Sequence, residues 1–453
     1  MGSLRGKDLL IALEKPPPPD GEALSIGIAA NGFDGDLTSD STRLDGYVLS
    51  TDVAPTVLHA YGIPVPDAMS GQAIRSEGEA DPAAVESLGA RMAAIPERRG
   101  PVVGFALLAW LVLLALLSAL SRGRLSRAGV RVVGLSVVYL PLILLLGAAL
   151  EPGQGVEQLL TIFGPPLLAA VTLLALGGYR ALAVGAALTV LAYAADVIAG
   201  SPLTSLSLLG PNPGLGVRFY GIGNELEALL AVLVIAGTGA GLTGFAPRAS
   251  TRARVAAFLA AGILFAFVFA AGRFGADVGA ALVLPLGSAV AVLSLSLHSP
   301  APGAGKRRLG WALIVLAPVA ALVLLATVDL LSGADAHLTR SVLDAGGLDE
   351  LAEVAQRRLQ LSAHSFARPI VYVFLPLLAA AAVIAYTWRE RIASWLETRP
   401  AMRAGLAGAL AATLLGTLAN DSGALLLEIG SAYLLVFTGF AWAEAGDRPG
   451  RYP

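Results

Sequence analysis

The stretch RFYGIGNELEALLAVLVIAGTGAGLTGF, Arg218 to Phe245, sets a polar head against a long apolar run. Beyond Glu227 it carries no charge as far as Phe245. About twenty such residues, wound as an α-helix, cross the roughly 30 Å of bilayer hydrocarbon. Its glycines suit that setting, because small residues let transmembrane helices approach closely. The polar head is the part a bilayer does not explain. An arginine, a tyrosine, an asparagine and two glutamates at the mouth of a span either cap the helix or build a site.

Similar apolar runs recur along the chain. Of 453 residues, 56% are hydrophobic and only 14% charged, with a mean hydropathy of +0.72. Runs at about 101–121, 130–150, 157–177, 180–199, 225–245, 253–272, 276–297, 310–331, 369–388, 402–419 and 423–442 predict a mainly α, polytopic membrane protein of about 11 spans. Pro165-Pro166 predicts a kinked or broken helix in the third run. A net charge of −2 leaves no basic face for nucleic acid. The absence of cysteine excludes disulfides, thiolate metal sites and iron–sulfur clusters.

Basic residues alternate between loops. Arg122, Arg124, Arg127 and Arg131, then Arg180, then Arg248, Arg252 and Arg254, then Lys306 to Arg308, then Arg389 to Arg403, and finally Arg448 and Arg451, fall on every second side. Such residues stay in the cytoplasm. Residues 1–76 are then an extracytoplasmic segment, 77–100 a linker, 101–443 the membrane domain, and 444–453 a cytoplasmic tail. Met1 to Leu13 is too short in its apolar part to be a signal peptide or span. An outside segment without one predicts that the chain is a piece of a longer protein.

Within that segment, LTSDSTRLDGYVLSTDVAPTVLHAYGIPVPDAMSGQAIR, Leu37 to Arg75, carries Thr51-Asp52, Ala54-Pro55-Thr56, Leu58, Gly62 to Pro64, Met69, Gly71 and Arg75. Read physically, Asp52 or Thr51 caps a helix with Pro55 in its first turn, and the glycines make turns. The pattern resembles the C-terminal portion of alkaline-phosphatase-like and sulfatase-like domains, over about residues 22–76. The resemblance implies a small α/β fragment of that fold. Its chemistry, a Ser or Thr nucleophile and two divalent metals held by Asp and His, does not carry over. The nucleophile belongs upstream of the matched part, and DLTSDSTR (Asp36 to Arg43) has no histidine where a metal ligand is expected. His59 falls in the helix after the turn, a packing position.

In the membrane domain the polar clusters all fall on the predicted extracytoplasmic side. In the opening stretch, Asn224 and Glu227 fit an N-x-x-E capping box with Glu225 in the first turn. Arg218 and Tyr220 have no capping role. GRFGADVGA, Gly272 to Ala280, spaces Arg273 and Asp277 four apart, either an intrahelical ion pair or a phosphate-binding cation beside a carboxylate. It also echoes RFYGIGN. NDSGALLLEIG puts Asn420 and Asp421 at a tight hairpin, with Asp421 or Ser422 as a cap. Glu428, deeper in the span, predicts a partner in Arg273 or Arg218. Asp196 is a further carboxylate inside a span. The long loop 333–368 holds an amphipathic helix, Leu348 to Phe366, whose Arg357, Arg358 and His364 suit an anionic headgroup or lipid-linked phosphate. His298 sits at the cytoplasmic end of a span.

Three functions fit these residues. The first is an enzyme of hydrolase or transferase type acting outside the cytoplasm on a phosphate-bearing or lipid-linked cell-envelope substrate. Glu225, Asp277 and Asp421 are its candidate catalytic or metal-binding groups, and Arg218, Tyr220, Asn224, Arg273, Asn420, Arg357, Arg358 and His364 its candidate substrate contacts. The metal is open, a divalent cation being the candidate, and membrane lipid is the expected partner. The second is an ion-coupled transporter or flippase, disfavoured by a cytoplasmic side that shows no matching polar cluster. The third is a membrane anchor for a phosphatase-like domain.

Overall fold

Proline and glycine punctuate these apolar runs, and what holds the fold together is how the freed backbone groups are reclaimed. The computed structural model describes residues 8–14, 23–66, 69–121, 125–211, 213, 218–297, 311–312, 314, 316–324, 327, 348–369 and 371–446. Within the expected span 310–331 the described residues, 311–312, 314, 316–324 and 327, are helical; its other residues, residues 333–347 of the long loop, His298 and the tail beyond 446 lie outside the described residues.

The N-terminal segment holds two small antiparallel sheets. β1 (Leu10–Leu13) pairs with β2 (Ile26–Ala29), and β3 (Asp36–Thr38) with β4 (Arg75–Glu77). Between them lies α1 (Val53–Ala60). Asp52, fully buried, is the hub. Its carboxylate accepts from Ser39 Oγ (2.7 Å), Ser41 Oγ (2.6 Å) and the N–H groups of Leu49 and Gln72 (both 2.9 Å). The side chain therefore ties three strands of sequence together and makes no cap bond to α1. Thr56 Oγ1 accepts from Ile74 N (2.8 Å). The spacing of Asp52, Thr56 and Gly71 is thus scaffolding. His59 is exposed on α1, where it packs against nothing that buries it.

Among the described residues the further helices with defined ends are α2 (Pro82–Leu120), α3 (Arg127–Leu150), α4 (Gln154–Leu176), α5 (Gly178–Ile198), α6 (Asn224–Phe245), α7 (Thr251–Ala270), α8 (Val278–Leu297), α9 (Leu348–Ser365), α10 (Val371–Thr387), α11 (Arg389–Leu396), α12 (Pro400–Ala419) and α13 (Gly423–Ala445). Among the described residues nine are long and apolar enough to cross a membrane, ten if α10 and α11, bent by 69°, form one broken span. The protein is a multi-pass membrane protein. The expected linker is helical: Asp81 accepts from Ala84 N (3.0 Å) and Pro82 opens α2, which runs on through the first span.

The bundle has two ends. The upper end carries the N-terminal segment, the loops at 199–223 and 271–277, and the hairpin at 420–422. The lower end carries the turn at 246–250 and the segment 388–399 that includes α11. At the lower end arginines lace helix ends together: Arg131 to Glu444 (2.7 Å), Arg180 to the Gly244 carbonyl (2.9 Å) and Arg399 to the Glu444 carbonyl (2.8 Å). α6 and α8 are largely buried, whereas α2 and α4 lie at the periphery, with Leu174 88% exposed.

The proline pair in α4 does not break it; the helix is continuous from Gln154 to Leu176. Pro166 has no N–H for the Ile162 carbonyl, and Trp110 Nε1 of α2 donates to that oxygen instead (2.9 Å). Pro141 in α3 likewise strands the Val137 carbonyl, which accepts from Tyr433 Oη of α13 (3.1 Å). Each neighbour restores the bond that proline removed. Trp110→Phe should therefore lower the stability of the detergent-solubilised protein by about 1–3 kcal/mol, the cost of an orphaned buried carbonyl. Lipid-facing Leu174→Ala should leave it unchanged. Thermal unfolding read by near-UV circular dichroism compares the two, and equal midpoints would refute the bond's role.

Candidate functional site

At the upper end, the two echoing stretches meet. Ile222 N–H donates to the Gly275 carbonyl (2.9 Å). Gly221, at φ 80°, approaches that carbonyl so closely that no β-carbon fits. Ser201 Oγ accepts from Gly221 N (2.8 Å), and Ser205 Oγ donates to the Phe219 carbonyl (2.6 Å). Buried Asp196 accepts from Leu203 N (3.0 Å) and Thr204 N (2.7 Å). It anchors the loop that frames the site, so its carboxylate has a structural use.

The capping box does not form. Gly223 precedes the helix in an extended conformation, Asn224 is the first helical residue, and no side chain caps α6. Both predicted cap residues turn inward. Asn224 Nδ2 donates to Asp421 Oδ1 (3.1 Å), and Asn224 Oδ1 accepts from Asn420 Nδ2 (3.1 Å). The same Asn420 nitrogen donates to Glu227 Oε2 (2.7 Å). Glu227 is 2% exposed, Asp277 4% and Asn420 5%.

Glu227 also meets Asp277 side chain to side chain. Two carboxyl groups side by side repel each other when both are charged. Glycines make the room: a β-carbon on Gly279 would collide with the Glu227 carboxyl, and Gly416 faces it across α12. Asp277 begins α8, accepting from Ala280 N (3.2 Å). It lies 4.0 Å from the Arg218 guanidinium, which also donates to the Ile222 carbonyl. Below Glu227 is a cavity of about 10 Å³, about one water molecule in size, lined by Ala231, Val283, Thr413 and Leu426 among others.

One continuous network therefore joins Arg218, Asp277, Glu227, Asn420, Asn224 and Asp421, drawn from three chain segments, 218–227, 277 and 420–421. Five of the six were candidates from sequence. For Glu227 the sequence predicts only a capping role, which the structure replaces with its bond to Asn420. The available signal was its position three residues after Asn224, on the same helical face.

Other candidates stand apart. The Arg273–Asp277 pair does not form, because the backbone between them is not helical; Ala276 has φ 52°. Arg273 is exposed, its guanidinium over the Phe274 ring (5.0 Å). Glu225 faces α2 and pairs with Arg99 (3.2 Å). Tyr220 lies under the Arg43 guanidinium (3.8 Å), whose nitrogens also donate to the carbonyls of Arg273 (2.8 Å) and Gly272 (3.2 Å). The N-terminal segment is docked there.

The amphipathic helix forms as α9, held by Ser362 Oγ to the Thr417 carbonyl (2.6 Å) and by Ala424 N to Ser365 Oγ (2.9 Å). Arg357, Arg358 and His364 are exposed on it and make no part of the network. Glu428 Oε1 has no hydrogen-bond partner among the described residues, and neither Arg218 nor Arg273 pairs with it. Among the described residues no group of three or more His, Asp or Glu converges to hold a metal, so Glu225, Asp277 and Asp421 do not form a metal triad.

No family model, curated protein or solved structure matches the chain.

The contact across Gly279 is open to a double-mutant cycle. Gly279→Ala should destabilise the protein, and Glu227→Ala in the same chain should recover part of the loss by vacating the space, a coupling of about 0.5–3 kcal/mol. Strictly additive effects on thermal unfolding would show that the two groups do not touch.

Proposed function

We propose that the upper end of the bundle faces outside the cytoplasm and that its polar network acts on a phosphate-bearing or lipid-linked cell-envelope substrate, as a hydrolase or transferase. The observation that carries this reading is the run from Arg218 through Asp277 to Glu227. A half-exposed guanidinium at the mouth stands next to two buried carboxyl groups in contact. The guanidinium is suited to phosphoryl oxygens, which it binds through paired N–H donors. The acid pair is suited to accept a proton from an attacking hydroxyl or water and return it to the leaving oxygen. Asn420 and Asn224 orient Glu227 and Asp421 through their amides.

The orientation is supported by the arginines gathered at the lower end, among them Arg131, Arg180, Arg254 and Arg399. The phosphatase-like resemblance of residues 22–76 adds the substrate class. The docking of Arg43 beside Tyr220 supports a shared face for the two parts.

A second reading, an ion-coupled carrier, is favoured by the same acid pair, since buried carboxyl groups inside a bundle suit ion coupling as well as catalysis. Phosphate release from polyprenyl phosphates and diphosphates by the protein in liposomes separates the two. Arg218→Ala, Asp277→Asn and Glu227→Gln should each lower turnover by about 100-fold or more. Arg273→Ala should stay near wild type. Wild-type rates in the first three variants would refute the enzyme reading. Gradient-driven uptake lost in Glu227→Gln, without any turnover in wild type, would support the carrier.

A further inference from the structure

A second polar cavity lies at the lower end, where sequence predicted no polar cluster. Its volume is about 250 Å³. The start of α5, the end of α6, the turn into α7 and the start of α12 enclose it, and Tyr179, Thr243, Arg254, Thr398 and Arg399 give it polar walls. Tyr179 is 7% exposed, yet its hydroxyl has no hydrogen-bond partner among the described residues. Buried polar atoms are almost always paired, so such a group calls for an explanation.

The arginines are similarly underused. Arg254 donates one nitrogen to the Pro247 carbonyl (2.8 Å) and leaves its buried Nε unpaired. Arg399 donates to the carbonyls of Trp395 (2.7 Å) and Glu444 (2.8 Å), with its guanidinium 5.3 Å from the Tyr179 ring centre. A guanidinium has five N–H donors, so capacity remains on both. The nearby carboxylate, Glu444, is already paired with Arg131 (2.7 Å). The cavity therefore has two cations, a free phenol donor and no unpaired anion among the lining residues.

We propose that this cavity binds a phosphate group, carried either by an anionic phospholipid headgroup or by a soluble phosphate ester. Two guanidiniums and a phenol among the lining residues, brought from α5, α7 and the turn before α12, suit an oxyanion better than a neutral ligand. The volume exceeds that of the phosphate alone and leaves room for a small esterified group. The site stands apart from the upper network and does not depend on its chemistry.

The test uses the full-length protein. Native mass spectrometry in nanodiscs compares phosphatidylglycerol with phosphatidylcholine, and titration in detergent uses inorganic phosphate and glycerol 1-phosphate. Wild type should retain phosphatidylglycerol or bind a soluble phosphate; retention of the lipid alone identifies the headgroup as the source, and binding of the soluble probes identifies a free ester. Arg254→Gln should weaken binding about tenfold or more, the loss of a charge-assisted hydrogen bond. Tyr179→Phe should weaken it while leaving thermal stability unchanged or raised, because the hydroxyl has no hydrogen-bond partner among the described residues. If wild type binds none of these probes, or Tyr179→Phe and Arg254→Gln both bind as wild type does, the proposal is overturned. Tyr179→Phe keeps the test decisive even if Arg254→Gln fails to fold.

Discussion

Keeping an acidic side chain inside an apolar bundle is the constraint around which the upper half of the protein is arranged. Glu227 is buried where the alternative to a partner is a large desolvation cost. The neighbouring segments supply what the site needs: Asn420 as donor, Asp277 as the facing acid, and the missing side chain of Gly279 as space. Asp277 in turn needs Arg218, and Arg218 is held by the loop that Gly221 presses onto Gly275. Each of these dependencies crosses from one helix to another, so the network and the packing are a single arrangement.

The same economy of exchange governs the backbone. Prolines in α3 and α4 open their helices' hydrogen-bond ladders, and aromatic side chains on α13 and α2 close them. In water such carbonyls would be solvated at no structural consequence; in hydrocarbon they decide which helix sits next to which. Glycine works the other way, by permitting contact. The small residues that α6, α8 and α12 turn toward one another explain how these helices lie close enough for one amide to reach acids on another.

The spans were legible because hydropathy over about twenty residues is a strong signal that tertiary context seldom overrides. The amphipathic α9 was legible for the same reason, in its periodicity. Local motifs misled where a short-range rule competed with a long-range partner. Asn224 and Glu227 have the spacing of a capping box, but the helix begins at Asn224 itself, after extended Gly223, and both side chains bond into the hairpin at Asn420 and Asp421. Arg273 and Asp277 have the spacing of a helical ion pair, but Ala276 in the left-handed region places them on a turn. Pro165-Pro166 reads as a break only if no neighbour supplies a donor. The lower cavity was invisible in sequence, because its walls come from residues as far apart as Tyr179 and Arg399.

The length of α2 has its own consequence. Thirty-nine residues make a rod of about 58 Å, roughly twice the hydrocarbon thickness, reaching from the lower end to beyond the upper one. Everything before Pro82 rides on this mast, which Arg99 clasps to the first turn of α6. A continuous helix fixes angle as well as height. One residue inserted between Pro82 and Gly100 would turn the N-terminal segment by about 100° around the axis and carry Arg43 away from Tyr220. The mast thus sets a rotational phase between the two parts of the molecule, and its register is as much a part of the architecture as its sequence.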